Sequence, residues 1–395
     1  MPELALVGVS HHTAPLEVRE RVAVPPEVAA ELARSLAGDE GEAVCLSTCN
    51  RTELYVAGPG AEERALAALE PEVGELLYRR RDDEAAVHLF RVAAGLDSLV
   101  RGEAEILGQV RTAYALGAPG PLLDRLFREA LRVGRKVRAQ TGEATASVAS
   151  AAVVLAERVL GDLSGRHALV LGGGAVGRPV ARSLASRGAD VSAVRGRQTA
   201  TAERLARELE RADIVVSSTS SAGLVLSREQ VERALALRDR QPLLLIDLGV
   251  PRDLDPAIAD LSYAFLYDLD DLDEAVAGGL SGDAAARAEA IVAEEAERFR
   301  AWQASRGVVP AIASLRARAE AIREGELARA SSRLARLSED ERRAVEALTA
   351  QIVNKLLHEP TVRLKEAAAG AEGSVYADAV RHLFALDADQ DRVSR

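Results

Sequence analysis

Two cysteines, Cys45 and Cys49, are all that the 395 residues contain. A single pair cannot build a disulfide framework, and its scarcity fits a reducing compartment. Aromatic residues make up 3% of the chain. Alanine, leucine and valine must therefore fill the cores, and the first two favour helix. No apolar run reaches the roughly 18 residues of a membrane span. The start, MPELALVGVSHH, has no basic segment ahead of a long apolar one. The chain thus reads as soluble and cytoplasmic, with no membrane association. Excess positive charge is also missing. The formal net charge is −11, which excludes a large nonspecific nucleic-acid surface and leaves room for a local basic face. Neither an internal repeat nor a low-complexity tail is visible.

The apolar fraction of 48% and the charged fraction of 28% are ordinary for a globular protein, and the length suggests two or three domains. Residues 4–9, 42–47 and 52–57 read as strands, and 26–37, 61–69 and 83–94 as helices. Together they predict a small α+β unit. From Leu96 to about Leu160 the pattern is helical, punctuated by Gly and Pro at 117–121 and by Gly142. The apolar run HALVL at 167–171 precedes GGGAVG, a helix and a second strand, ADVSAV. This order is the signature of a mononucleotide-binding βαβ unit. Further strands are expected at 212–218, 242–248 and 264–267. Beyond Asp268 the chain reads as helix: one extended segment over 283–306, a break at Val308-Val309-Pro310, then helices over 311–337, 339–358 and 374–386. Leu337, Ala344, Leu348, Ile352 and Leu356 recur at helical spacing, as in a helical dimer element.

Cys45 sits in the apolar strand AVCL and reads as a buried hydrophobe. Cys49 is different, because Thr48, Asn50, Arg51 and Thr52 surround it in STCNRTELY. A free thiol with pKa near ~8.5 is mostly protonated at neutral pH, and a nearby arginine or turn N–H groups lower that value. Arg51 is the expected neighbour. No histidine lies close enough in sequence to complete a metal site with the two cysteines. A nucleophilic cysteine beside a dinucleotide loop suggests one chemistry. The thiol captures an acyl group as a thioester, which accepts hydride far better than a carboxylate does.

STCNRTELY closely resembles the active-site segment of glutamyl-tRNA reductases. GVSHHTAPLEVRE at 8–20, GLDSLVRGEAEILGQVRTAY at 95–114, SVASAAV at 147–153, LLLIDLGVPRDLDP at 243–256 and YDLDDL at 267–272 resemble further segments of that family, in its order. The resemblance implies reduction of glutamyl-tRNA to glutamate-1-semialdehyde by NADPH, with neither metal nor flavin, as the first step of tetrapyrrole synthesis. It implies a multidomain α/β protein: an N-terminal α+β catalytic domain (1–145), a Rossmann-type NADPH domain (146–268), then a long spinal helix and an all-α dimerisation domain (269–395). Cys49 is the implied nucleophile. Thr48, Asn50 and Arg51 would hold the glutamyl group, where a guanidinium suits a carboxylate. Ser98, Glu103, Ala104, Glu105 and Gln109 match other pocket positions, with Glu105 standing where the family commonly has glutamine. His88 matches a histidine suited to proton transfer near the thioester, and His11 matches a signature position.

Gly172, Gly173, Gly174, Ala175, Val176 and Gly177 form the expected pyrophosphate loop. The next strand ends without an acidic residue for a ribose hydroxyl. Arg195 and Arg197 follow instead, and positive charge there suits the 2′-phosphate of NADPH. Two departures from the family stand out. Gly196, Arg197 and Gln198 replace its usual Asn-Arg-Thr. The helix TATAERLARELE also runs almost directly into ADIVVSS, where the family inserts another strand and helix, so a sheet one edge strand short is expected. Arg125, Arg128, Arg132 and Arg135 make a helical stripe, with Lys136 and Arg138 beside it, as a candidate tRNA face. The resemblance also implies a homodimer and a handoff of product to an aminomutase. Two alternatives stay open: a dehydrogenase of a small free substrate, of shikimate-dehydrogenase type, and a non-catalytic or impaired paralogue that binds tRNA or a partner.

Overall fold

The structure is a computed structural model that describes residues 4–103, 105–141, 147–194, 202–219, 221, 223–238, 241–275, 282–367 and 373–386. Ala104, Arg195, Gly196, Arg197 and Gln198 lie outside the described residues. The chain divides into two compact units, Pro2–Glu295 and Ala296–Arg395.

The first unit opens with β1 (Leu4–Ser10), α1 (Leu16–Val22), α2 (Pro26–Ala37), β2 (Glu42–Ser47), β3 (Arg51–Ala57), α3 (Ala61–Val73), β4 (Tyr78–Arg81) and α4 (Asp82–Ala94). The strands form an antiparallel sheet in the order β2-β3-β1-β4. β1 lies against β3 with Ser10 opposite Arg51, so the start of the segment SHHTAP faces the cysteine turn. α1 and β4 were not expected. Each is short, and YRRR has no apolar alternation to announce a strand. β4 is an exposed edge strand, and its arginines suit that place. Helices α5 (Glu105–Leu116), α6 (Pro121–Thr141) and α7 (Val148–Leu160) follow. α7 is capped by Ser147, which exchanges hydrogen bonds with Ser150. Such a cap contributes about 1 kcal/mol.

The second sheet contains β5 (His167–Leu171), reached from α7; α8 (Gly177–Ser186) leads to β6 (Asp190–Val194), and α9 (Ala202–Arg211) to β7 (Ile214–Ser217). Next come α10 (Arg228–Ala236), β8 (Leu243–Asp247), β9 (Ala264–Tyr267) and α11 (Leu269–Ala275). All pairings are parallel and the order is β6-β5-β7-β8-β9. Continuous apolar strands are what a sheet covered on both faces requires, and Leu243, Leu244, Leu245 and Ile246 are each fully buried. Only Ala212 and Asp213 separate α9 from β7, and among the described residues nothing pairs outside β6. The sheet is therefore short at the expected edge. The chain leaves β5 in one direction to β6 and returns on the other side to β7, which makes the ends of β5 and β7 the switch point where such sheets bind ligands.

α12 (Gly282–Arg329) is one helix, and this corrects the expected break: Val308-Val309-Pro310 lies inside it. Proline removes one backbone donor and crowds the preceding turn. Pro310 itself is exposed, while Val308, Ala311, Ile312 and Leu315 are buried on another face of the same stretch, and their burial offsets that cost. α13 (Ser331–Leu334), α14 (Glu339–Ala367) and α15 (Gly373–Leu383) complete the second unit, with Leu364 and Ala377 joining Val308, Ala311 and Ile312 in a small core. No helix among the described residues is long and apolar enough to cross a membrane.

Candidate active site

β2 and β3 are joined by a tight turn that carries Cys49 between Thr48 and Asn50. The Thr48 N–H donates to the Arg51 carbonyl at 2.8 Å. Its hydroxyl accepts from the N–H groups of Asn50 and Arg51, each at 3.2 Å. Thr48 thus spends its side chain on the turn itself. The half-buried Cys49 packs against the core of the parallel sheet, whereas Cys45 is buried in that of the antiparallel sheet. Burial pushes the Cys49 thiol up to about 12, helped by Glu103 and Glu105 and opposed by Arg19. This corrects the expectation that Arg51 lowers the thiol's pKa. The arginine that acts on it is Arg19, whose Nη1 donates to the Cys49 carbonyl at 2.7 Å.

Arg51 is fully buried and turns to other partners. Its Nη1 donates to Glu53 Oε1 at 2.7 Å and to Asp97 Oδ2 at 3.1 Å, and its Nη2 donates to the Asp97 carbonyl. Glu53 also accepts from Tyr55 and Tyr78, each at 2.6 Å, and lies 2.9 Å from His88 Nε2. Although burial disfavours its charge, His88 and Arg51 hold the Glu53 carboxyl well below the usual range. Asp97 is likewise held low by His12 and Arg51 against burial. Removing one member of such a network strands the remaining charges, at a cost of about 3–5 kcal/mol. His11 is kept neutral, pushed down to about 3 by burial and by His12 and Arg51. Several buried polar atoms here lack a protein partner: Asn50 Oδ1, Arg51 Nε and His11 Nδ1. Unpaired polar groups clustered in this way suit a polar ligand.

A cavity of about 680 Å³ brings Cys49 together with Glu103, Glu105, Gln109, Gly172–Val176 and Ser218. Of the expected substrate residues, Glu103, Glu105 and Gln109 line it. Thr48, Asn50, Arg51, Ser98 and His88 are not among its lining residues. Ser98 and His88 are buried, and His88 belongs to the Glu53 network. Burial, reinforced by Glu105, pushes the Glu103 carboxyl up to about 7 against the pull of Ser98, Arg51 and Arg138.

The glycine loop fits a dinucleotide. Gly172 has φ +112°, and a Cβ there would lie 2.3 Å from the Ser218 carbonyl oxygen. A Cβ on Gly177 would lie 2.4 Å from the Gly172 carbonyl oxygen, while the space beside Gly174 is open. The loop is therefore packed tightly on its inner side and free where a pyrophosphate would approach. Two carboxylates shape the neighbouring turns. Asp253 accepts from Ser217 Oγ at 2.8 Å and the Thr219 N–H at 2.6 Å. Asp247 accepts from the N–H groups of Gly249 at 2.9 Å and Leu254 at 2.8 Å.

The arginine stripe on α6 is largely neutralised. Arg125 pairs with Glu129, Arg128 with Asp124, Arg132 with Glu129 and Glu295, and Lys136 with Glu294 and Glu295. Arg138 donates to the carbonyls of Ala93, Gly134 and Glu103.

Sequence reasoning passed over Glu53, Tyr55, Tyr78, Asp97, Arg19 and Asp253. A signal for the first two was present: Arg51, Glu53 and Tyr55 alternate along β3 and so share one face.

Residues 7–141 match the family model for the glutamyl-tRNAGlu reductase N-terminal domain, residues 154–275 that for shikimate / quinate 5-dehydrogenase, and residues 287–386 that for the glutamyl-tRNAGlu reductase dimerisation domain. A glutamyl-tRNA reductase of Rubrobacter xylanophilus is 43% identical over 97% of this chain and 96% of its own length. One of Myxococcus xanthus is 41% identical over 97% and 94%. The solved glutamyl-tRNA reductase of Methanopyrus kandleri is 29% identical, covers 97% of this chain and 99% of its own, and superposes with a TM-score of 0.48. The two curated relatives match nearly the whole chain at 43% and 41% identity, and the chain belongs to the glutamyl-tRNA reductase family.

Proposed function

We propose that this protein reduces glutamyl-tRNA to glutamate-1-semialdehyde through a thioester on Cys49. The observation that carries this reading is the shared cavity: a thiol and a dinucleotide-type glycine loop line the same space. Because the thiol is protonated in these surroundings, attack needs a base. Glu103 and Glu105 are the carboxylates that line the cavity with Cys49, and Glu103, poised at about 7, suits both directions of proton transfer. The Cys49 proton passes to Glu103 as sulfur attacks the ester carbonyl. The same proton then goes to the departing ribose oxygen, leaving the glutamyl group on sulfur. Gly172–Gly177 and, by the sequence, Arg195 and Arg197 would hold NADPH, which would supply a hydride to the acyl carbon; the C–S bond then breaks, and the Cys49 sulfur takes up a proton as the aldehyde leaves. Asn50 and Arg51 belong by resemblance to the segment that holds the glutamyl group, and from behind the cavity wall they fix the turn that presents Cys49. His88 and Glu53 keep Arg51 in place, and His11 packs the turn as a neutral ring.

In this reading residues 1–145 bind the glutamyl-tRNA end, 146–268 bind NADPH, and 269–395 pair two copies of the chain in the cytoplasm. The aldehyde product is reactive, so its transfer to an aminomutase in a complex is part of the same reading. The test is single-turnover assay of semialdehyde from glutamyl-tRNA and NADPH, with Cys49→Ser alongside. Wild type should form semialdehyde and the serine variant should form none. Equal product from both would remove Cys49 as nucleophile.

A further inference from the structure

Helix α1 reaches from the Cys49 turn to the parallel-sheet half of the same unit, and it does so with charged side chains. Arg19 is buried. Its Nε donates to the Ala14 carbonyl at 3.2 Å, its Nη1 to the Cys49 carbonyl at 2.7 Å, and its Nη2 to the Asp270 carboxylate. Asp270 stands in the first turn of α11 and also accepts from the Leu16 N–H at 3.0 Å. A second clamp lies beside it. Arg252 Nε reaches both Glu20 carboxylate oxygens at 3.0 Å, its N–H donates to Glu20 at 2.5 Å, and its Nη1 reaches Glu17 at 3.1 Å. Each clamp is close in sequence to a residue of the cavity wall on the parallel-sheet side: Leu269 precedes Asp270, and Val250 precedes Arg252 by two positions.

We propose that α1 is a docking strut, in which Arg19 with Asp270 and Glu20 with Arg252 hold the cofactor-binding half in register over the thioester on Cys49. These are positioning residues. They set the distance between hydride donor and acyl carbon and touch neither reacting atom. The physical basis is directional. A bidentate guanidinium–carboxylate pair fixes orientation as well as distance, and misplacing a reacting group by about 1 Å costs about 10²-fold in rate. Arg19 adds a link to the nucleophile, since the same guanidinium that meets Asp270 also holds the Cys49 carbonyl.

The inference rests on the proposed thioester chemistry, and the product ratio separates the two. A thioester that receives no hydride is attacked by water, giving glutamate and the free thiol. Loss of register should therefore divert product from semialdehyde to glutamate without slowing acyl transfer to Cys49. Arg252→Gln and Glu20→Gln are the variants of choice, because Arg19 itself contacts the Cys49 turn. In single-turnover reactions with glutamyl-tRNA and NADPH, each should lower the semialdehyde rate at least tenfold, with glutamate rising to match and total turnover of the ester unchanged. The exchanged pair, Glu20→Arg with Arg252→Glu, should return most of the semialdehyde. Parallel loss of both products, or an unaltered ratio in the single variants, would overturn the strut. Absence of semialdehyde from wild type would instead overturn the functional reading, and Cys49→Ser run alongside identifies that case.

Discussion

Cys49 meets opposing demands: it must attack an ester, yet burial pushes its thiol up to about 12. The conflict resolves only if a base shares its cavity, and Glu103 has the matching environment. The sign is definite. A carboxyl raised from its usual 4.5 to about 7 is a competent base only once ionised. Cleavage of the glutamyl ester by Cys49 should thus rise about tenfold per pH unit below about 7 and level off above it. Glu103→Gln should abolish that rise and lower the rate by about 10²–10⁴. A variant that kept the wild-type profile would exclude Glu103 as the base. Stability follows the same linkage. The raised carboxyl favours the folded state fully below pH 4.5 and loses that contribution as pH rises to about 7, so the variant should lose stability less steeply across that window in chemical denaturation. At this scale the sequence was legible for identity and illegible for direction. Cys49 stood out by its polar neighbours. That Arg19, thirty positions earlier, would meet it, and that Arg51 would turn to Glu53 and Asp97, depends on how β1, β3 and α1 pack.

Among the elements, the glycine loop was the most legible, because strand, glycines and helix each carry a local signal. After Gly172, the geometry makes Gly177 the most demanding position of the loop. A Cβ there would approach the Gly172 carbonyl oxygen to 2.4 Å and Ser218 Oγ to 2.9 Å, and a backbone oxygen cannot withdraw as a flexible side chain can. Gly177→Ala should weaken NADPH binding at least tenfold in a fluorescence titration, and an unchanged affinity would mean that the loop does not carry the pyrophosphate. The missing edge strand was also legible, since the helix signal of α9 ends two residues before β7 begins and leaves no length for another strand. The continuity of α12 was not. Proline is a helix breaker by local rules, and only the buried face of Val308, Ala311, Ile312 and Leu315, with Pro310 exposed on another face, shows why tertiary packing prevails there.

At the scale of the molecule, charge and apolar surface point to different partners. With a net charge of −11 and Arg125, Arg128, Arg132 and Lys136 of α6 already paired to Asp124, Glu129, Glu294 and Glu295, tRNA phosphates would compete with those carboxylates for these side chains. The C-terminal unit has the opposite character. Its buried core is small, while Leu348, Ile352 and Leu356, one turn apart on α14, are 58%, 49% and 69% exposed. Apolar side chains recurring every fourth residue form a continuous stripe on one helix face. A stripe of this kind on a unit with so little core marks an association surface, and these residues fall inside the match to the family's dimerisation domain at 287–386. Leu348→Glu with Leu356→Glu places two charges in that stripe, and burying either unpaired is prohibitive. The double variant should sediment as a monomer where wild type sediments as a dimer, and should keep its helical circular dichroism. A double variant that remained dimeric would move the contact to the other exposed apolar group of this unit, Val375, Tyr376, Leu383 and Phe384 on and just after α15. Because the cavity of the first unit is lined within residues 49–269 of one chain, the monomeric variant should still cleave the glutamyl ester through Cys49.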